Sequence, residues 1–211
     1  IKTIWMLYIY LQGFETQEYL LAHSDEIDKE IAVAQNAMST KGFWGDGFQF
    51  LDGDILYTNG TFYFGHIGMS CGNGILEILN SGIQKMSYST WKNRYSNKYT
   101  YVLRRIPDYC NGNPNCRQVS IDAAWYGKVY FLEGAGYNYI WSILPSLSST
   151  TKINCSGLAY KCYRDGAGFY YKCSGYDYVT NQTYYYDPTV ITPSDIFENR
   201  VYNGFSAIYK F

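Results

Sequence analysis

The chain has 211 residues, a formal net charge of -1 and 17% charged residues, a balance that gives no electrostatic basis for binding nucleic acid. Its 25 Tyr, 11 Phe and 5 Trp exclude a disordered chain, because disorder goes with few aromatic residues and high charge. We therefore expect a folded protein rich in β-strands, in which aromatic side chains pack well, and no nucleic-acid partner.

The first predicted element is the apolar segment at residues 1–12, IKTIWMLYIYLQ. It is shorter than the ~18–20 residues that a membrane helix needs, so we expect no membrane span in this chain. A remnant of a signal peptide is one interpretation. A strand that is apolar on both faces is the other, and such a strand must be buried in its own sheet or in that of a neighbour. We predict that it binds identical subunits or another protein through Ile4, Trp5, Leu7, Ile9 and Leu11.

The residues after this segment, Gly13, Phe14 and Glu18, form the pattern G-F-x-x-x-E. This pattern resembles the processing site of type IV pilin precursors. In that family roughly twenty apolar residues follow the motif, whereas here the apolar segment precedes it and acidic residues follow Ala22. We therefore interpret the motif as the junction between an apolar strand and a helix, with Gly13 as the turn.

Residues 16–39 predict an amphipathic helix, because neither Gly nor Pro occurs in them. Apolar side chains recur at helical spacing and form one stripe, with acids and a lysine opposite. The stripe comprises Leu20, Ile27, Ile31, Ala34 and Met38, interrupted by Ser24. We treat residues 1–39 as an assembly or packing arm.

Residues 40–211 predict a Tyr- and Gly-rich β head domain. Asn59-Gly60 predicts a two-residue hairpin turn within ILYTNGTFYF. Residues 75–86 predict a short helix and residues 98–106 a strand. Residues 133–139 and 165–171 share a pattern of acid, Gly, Ala, Gly and aromatic residue, and predict two Gly-rich hairpins.

These elements predict a mainly β fold. We expect a disulfide-bearing antiparallel β-sandwich or barrel, preceded by the apolar strand and the amphipathic helix. A small β-propeller-like meander is the alternative, since repeated strand–turn units are typical of propellers.

The six Cys have an even count and loop-like spacing, which predicts disulfides and an extracellular, cell-surface or virion-surface location. Cys110 and Cys116 enclose a short loop, and Cys162 and Cys173 flank a predicted hairpin. Cys71 then pairs with Cys155 by elimination, although Cys155 could instead pair with Cys162 or Cys173. Without a C-x-x-C pair in the sequence, we expect neither a metal nor a cofactor.

Three N-x-S/T sequons predict glycosylation at Asn59, Asn154 and Asn181. Outward Tyr side chains beside Asn, Gln and Thr are typical of surfaces that recognise sugars or proteins, so glycans are also expected partners. The predicted binding surface comprises Tyr176, Tyr178, Tyr184, Tyr185 and Tyr186.

The sequence contains no G-x-S-x-G motif and places no His beside a Cys. His66 is expected on a strand with its ring nitrogens hydrogen-bonded, and we expect no enzymatic activity. The predicted function is a structural or adhesive subunit of an extracellular filament, assembled through the apolar N-terminal segment. The alternative is a receptor- or carbohydrate-binding β-domain of a surface or viral glycoprotein.

Overall fold

A computed structural model describes residues 18–39, 48–59, 65–110, 113, 115–134, 138–143 and 145–211. The strands are β1 (Ile55–Thr58), β2 (His66–Ser70), β3 (Ile75–Leu79), β4 (Gly82–Met86), β5 (Thr100–Arg105), β6 (Ile140–Trp141), β7 (Lys152–Ile153), β8 (Cys173–Asp177), β9 (Gln182–Tyr186) and β10 (Phe205–Lys210). The helices are α1 (Ser24–Ser39), α2 (Tyr88–Arg94), α3 (Cys116–Tyr126), α4 (Cys155–Ala167) and α5 (Pro193–Glu198), and α3 continues into a wider helical turn over Gly127–Leu132.

One antiparallel sheet of six strands, in the order β10-β5-β1-β2-β3-β4, forms the centre of the fold. Two smaller pairs accompany it, the parallel pair β6–β7 and the antiparallel hairpin β8–β9. The protein is therefore mainly β, as predicted, with helices and a disulfide added. The predicted sandwich or barrel is not confirmed, because no sheet in the described ranges closes on itself.

The two faces of the central sheet bury different side chains, because successive residues of a strand point to opposite faces. On one face, Ile55 and Tyr57 of β1 join the largest core cluster together with side chains of α3 and α4. On the other face, Leu56 packs with Trp91 of α2 in a second cluster. The sheet thus lies between helices that contact its opposite faces.

The helix predicted for residues 16–39 is confirmed over its described part. Residues 18–22 are helical, His23 forms a turn, and α1 follows. Leu20, Ile27 and Ile31 are buried, as the stripe predicts. Glu30 fixes α1 to β10, since its carboxylate accepts the N–H of Ala207 at 2.7 Å.

Residues 1–12 and the turn at Gly13 lie outside the described residues, and so does the segment 40–47 that contains the predicted domain boundary. Assembly through the apolar segment and the division at residue 39 therefore stay predictions. No helix among the described residues is both long and apolar enough to cross a membrane.

Two predictions in the central sheet are wrong. β1 pairs with a strand that starts at His66, since Thr58 lies opposite His66, so Asn59-Gly60 is not a two-residue turn between paired strands. Residues 75–86 form the hairpin β3–β4 and not a helix. Gly82 has a φ of 104°, a left-handed conformation that favours a turn and that other residues rarely adopt.

The hairpin predicted for residues 165–171 is also wrong, because α4 runs to Ala167. Gly168 follows with a φ of 64° and donates its N–H to the carbonyls of Tyr163 and Arg164, which is a common way to end a helix. The Gly of the predicted hairpin turn is therefore a helix C-terminal cap.

Gly68 of β2 permits the close approach of α2 to the sheet. A Cβ atom on Gly68 would lie 2.4 Å from Cγ2 of Ile75 and 2.6 Å from Cζ3 of Trp91. Trp91 is fully buried and donates its indole N–H to Oγ1 of Thr100 at 3.3 Å, so its ring has little room to move.

We expect Gly68→Ala to lower the free energy of unfolding by about 1–3 kcal/mol, because the added methyl group overpacks this contact. Urea denaturation measures the change. Ser81→Ala, in the exposed β3–β4 turn, is the control and should stay within about 0.5 kcal/mol of the wild type. Equal stability of Gly68→Ala and the control would contradict the packing described.

Candidate functional site

Cys155 is the first residue of α4, and Asn154 holds that end of the helix in place. The Asn154 side chain accepts the N–H of Gly157 at 2.7 Å, the usual N-terminal cap. Its amide also donates to the carbonyl of Ile191 at 3.0 Å, and the Ser156 hydroxyl donates to the same carbonyl at 2.8 Å. These contacts fix the position of the Cys155 thiol.

The thiol meets β2 where the pairing of β2 with β3 ends. The two strands pair through Met69 with Leu76 and Ser70 with Ile75, and the pairing stops there. Ser70 directs its backbone groups towards β1, so the N–H of Ile67, three residues earlier, faces the β3 side. This N–H is close enough to the Cys155 sulfur to lower the pKa of the thiol, so α4 lies beside a donor that a longer β2–β3 pairing would have given to β3.

His66, the first residue of β2, lies between Cys155 and Glu77. Its Nε2 donates to Oε2 of Glu77 at 2.8 Å, and both side chains are buried. The ring also lies close enough to Cys155 for the two side chains to shift each other's pKa. The prediction that His66 lies on a strand with its ring hydrogen-bonded is confirmed.

Residues of α2 and β4 surround His66 and Glu77. Arg94 and Gln84 each donate to Oε1 of Glu77 at 2.6 Å. The Trp91 ring stacks on His66 with a centroid separation of 5.5 Å and an interplanar angle of 24°. The imidazole is therefore fixed by stacking on one face and by the hydrogen bond from Nε2 to Glu77.

The three groups shift one another's protonation. Burial alone would lower the pKa of His66, but the Cys155 thiolate and Glu77 outweigh it and raise this pKa to about 9. Burial would raise the pKa of Cys155, but the His66 imidazolium and the N–H groups of Ile67 and Ser156 lower it. Burial would raise the pKa of Glu77. Hydrogen bonds from His66 and Gln84, together with the charges of His66 and Arg94, outweigh burial and lower this pKa.

This arrangement can carry out nucleophilic chemistry. A thiolate is the reactive form of Cys, and a helix N-terminus and a neighbouring imidazolium both favour it. The first amides of a helix have no acceptor within it, and Cys155 is the first residue of α4. Within the described ranges, no group of three or more His, Cys, Asp or Glu side chains could hold a metal ion.

The disulfide between Cys110 and Cys116 is confirmed. The other predicted pairings are wrong, because Cys71, Cys155, Cys162 and Cys173 are free and buried. Cys155 and Cys162 are on α4, so no hairpin brings Cys162 opposite Cys173. The Cys71 thiol donates to the carbonyl of Ala124 at 3.1 Å instead of joining Cys155.

The three sequon asparagines occupy different environments. Asn154 is buried and all its side-chain polar atoms are hydrogen-bonded, so this fold leaves no room for a glycan there. Asn59 accepts the N–H of Tyr99 at 3.0 Å. Asn181 is exposed in the turn between β8 and β9 with a φ of 57°. Glycosylation of Asn59 and Asn181 stays a prediction.

The hairpin β8–β9 presents the predicted binding-surface tyrosines to solvent. The exposed residues are Tyr176, Tyr178, Tyr184, Tyr185 and Tyr186. Tyr185 stacks on Tyr202 at a centroid separation of 3.5 Å. The assembly residues Ile4, Trp5, Leu7, Ile9 and Leu11 lie outside the described residues.

The sequence contained two signals for the Cys155 site that its interpretation missed. Glu77 stands alone among apolar residues in ILEIL, and an acid in a buried strand requires a partner. Asn154 directly precedes a run with apolar residues at helical spacing, which indicates a helix that starts at Cys155. Comparisons with protein-family models, curated proteins and solved structures found no match.

We expect iodoacetamide at pH ~6.5, well below the usual thiol pKa of ~8.5, to modify Cys155 before the other free thiols. Burial raises the pKa of Cys71 to about 11 and also raises the pKa values of Cys162 and Cys173. Peptide mass spectrometry over time measures the order. His66→Gln should slow the reaction of Cys155 by at least about tenfold, because the imidazolium that stabilises the thiolate is lost.

The urea-unfolded protein is the control, because its four thiols should react at similar rates. Modification of Cys155 at the same rate as Cys71, Cys162 and Cys173 in the folded protein would contradict a stabilised thiolate.

Proposed function

We propose that this protein is a thiol-dependent acyl hydrolase or acyltransferase, with Cys155 as nucleophile, His66 as general acid and base, and Glu77 as the group that orients His66. The observation that supports it is the adjacency of three groups: the Cys155 thiol and His66 shift each other's pKa, and Nε2 of His66 donates to the Glu77 carboxylate. A nucleophile, a base within hydrogen-bond reach and a third group that orients the base characterise such sites on unrelated folds.

The proposed reaction starts from the thiolate–imidazolium pair. The Cys155 sulfur attacks the carbonyl carbon of an ester, thioester or amide, and a C–S bond forms as the carbonyl oxygen becomes an oxyanion beside the Cys155 N–H. The oxyanion then collapses, the bond to the leaving group breaks, and His66 gives its proton to that group. Neutral His66 next accepts a proton from water or from another acyl acceptor, which attacks the thioester and releases Cys155.

Glu77 acts on His66 without contacting the substrate. Its carboxylate accepts the Nε2–H, which fixes the orientation of the ring and stabilises the imidazolium. The orienting role needs a charged Glu77, and the lowered pKa of this residue supports it.

This proposal differs from the expectation that the chain has no enzymatic activity. That expectation depended on the distance between His and Cys in the sequence, whereas in the fold His66 and Cys155 are near enough to shift each other's pKa. The filament hypothesis rests on residues 1–12 and stays a separate prediction.

We expect p-nitrophenyl acetate to give a burst of one p-nitrophenolate per chain and to leave an acetyl group on Cys155. Cys155→Ala should abolish the burst, and His66→Ala should slow it by about 100-fold or more. The rate should fall as the pH drops through the lowered pKa of Cys155, because the thiolate that attacks the ester is then protonated. Stopped-flow absorbance and peptide mass spectrometry measure both effects.

Cys173→Ala, which removes another buried thiol, is the matched control and should retain the burst. A burst of equal size in Cys155→Ala and in the wild type would contradict the proposed function.

The exposed tyrosines favour a second function, recognition of a neutral glycan by the hairpin β8–β9. Tyr184 and Tyr186 lie on one face of the hairpin with ring centroids 6.0 Å apart. The neighbouring Lys172 forms an ion pair with Asp187 at 2.6 Å, and this pair has no net charge. The surface therefore presents aromatic rings and hydroxyl groups without an unpaired charge from these two residues. Such rings suit stacking against sugars, and the function is compatible with catalysis at Cys155.

A glycan array should identify a bound sugar, and Tyr184→Ala should then weaken its affinity about 5- to 10-fold through loss of one aromatic contact. Tyr170→Ala is the control, because Tyr170 is 58% exposed but lies outside the hairpin. Calorimetry measures both affinities. Equal losses in the two variants, or an array without specific binding, would exclude this surface as a glycan site.

A further inference from the structure

Glu77 divides its two carboxylate oxygens between different partners. Oε2 accepts the hydrogen bond from His66, and Oε1 accepts those from Gln84 and Arg94. The Glu77 side chain is fully buried, whereas the Arg94 side chain is 37% exposed. The Arg94 side chain therefore extends from the surface to the buried Glu77 carboxylate and places a positive charge beside it.

The geometry points to Arg94 as a positioning residue for the Cys155 site: through Oε1 it holds the Glu77 carboxylate in the orientation that accepts the proton of His66. This inference rests on the proposed function. Gln84 alone would give Oε1 a hydrogen bond from a neutral donor. A buried carboxylate is costly unless it is paired with an opposite charge, and Arg94 supplies that charge.

The structure of α2 explains why Arg94 can hold this position. Ser87 caps the start of the helix by accepting the N–H of Thr90 at 3.1 Å. One turn before Arg94, Trp91 is buried and stacks on His66. The same short helix thus places a ring against His66 and a guanidinium against Glu77, so it orients both groups that act on Cys155.

The test compares Arg94→Gln with Lys92→Gln, using the acetylation burst from p-nitrophenyl acetate. Lys92 is in the same turn of α2 and is exposed, so its variant removes an equal charge without touching Glu77. We expect Arg94→Gln to slow acetylation about 10- to 100-fold, the range for losing a hydrogen bond to a charged group. Lys92→Gln should match the wild type, and Arg94→Lys should recover part of the rate because an ammonium can still pair with Oε1.

Two readouts separate positioning from a general loss of structure. The acid limb of the pH–rate profile should move to higher pH in Arg94→Gln, because Glu77 is protonated more easily without the guanidinium. In a Glu77→Gln background, Arg94→Gln should change the rate less than about twofold, since residues that act through one another are not additive.

An equal loss from Arg94→Gln in the wild-type and Glu77→Gln backgrounds would overturn the role of Arg94, and so would an unchanged acid limb. If Cys155→Ala abolishes the burst while Arg94→Gln behaves like Lys92→Gln, the proposed function stands and the inference about Arg94 falls. A burst that does not require Cys155 would instead overturn the proposed function itself.

Discussion

Glu77 is a fully buried carboxylate in an otherwise apolar strand, and its charge constrains everything around it. A buried carboxylate is stable when hydrogen-bond donors and positive charges replace the lost water. Gln84 and Arg94 supply two donors from neighbouring elements, and His66 supplies the third. These hydrogen bonds to Glu77 fix the position of α2 and the orientation of the imidazole. They also stabilise the positive charge of His66 beside Cys155.

The second constraint is the early end of the β2–β3 pairing. A longer ladder would give the N–H of Ile67 to β3 and leave no place beside it for the first residue of α4. Because the pairing stops at Met69, the Cys155 sulfur can lie beside that N–H while its helix packs on the face of the same strands. The sheet thus contributes His66 and the Ile67 N–H to the proposed site, and α4 contributes Cys155.

Local patterns in the sequence predicted the amphipathic helix, the strand at residues 98–106, the Cys110–Cys116 disulfide and the exposure of the hairpin tyrosines. Each depends on neighbours along the chain or on a short loop. The Cys155 site could not be found in this way, because His66 and Cys155 meet only after β2 and α4 are packed together. Gly168 misled for a related reason: a Gly that allows positive φ serves a turn or a helix cap equally well, and packing decides between them.

The central claim is that Cys155 is held as a thiolate by His66 and Glu77. A difference titration of ultraviolet thiolate absorbance between the wild type and Cys155→Ala measures this directly in the native protein. The account predicts that the Cys155 signal develops well below the usual thiol pKa of ~8.5 and shifts to higher pH in His66→Ala. A Cys155 signal that develops at or above the usual value, or one that is unaffected by loss of His66, would contradict it.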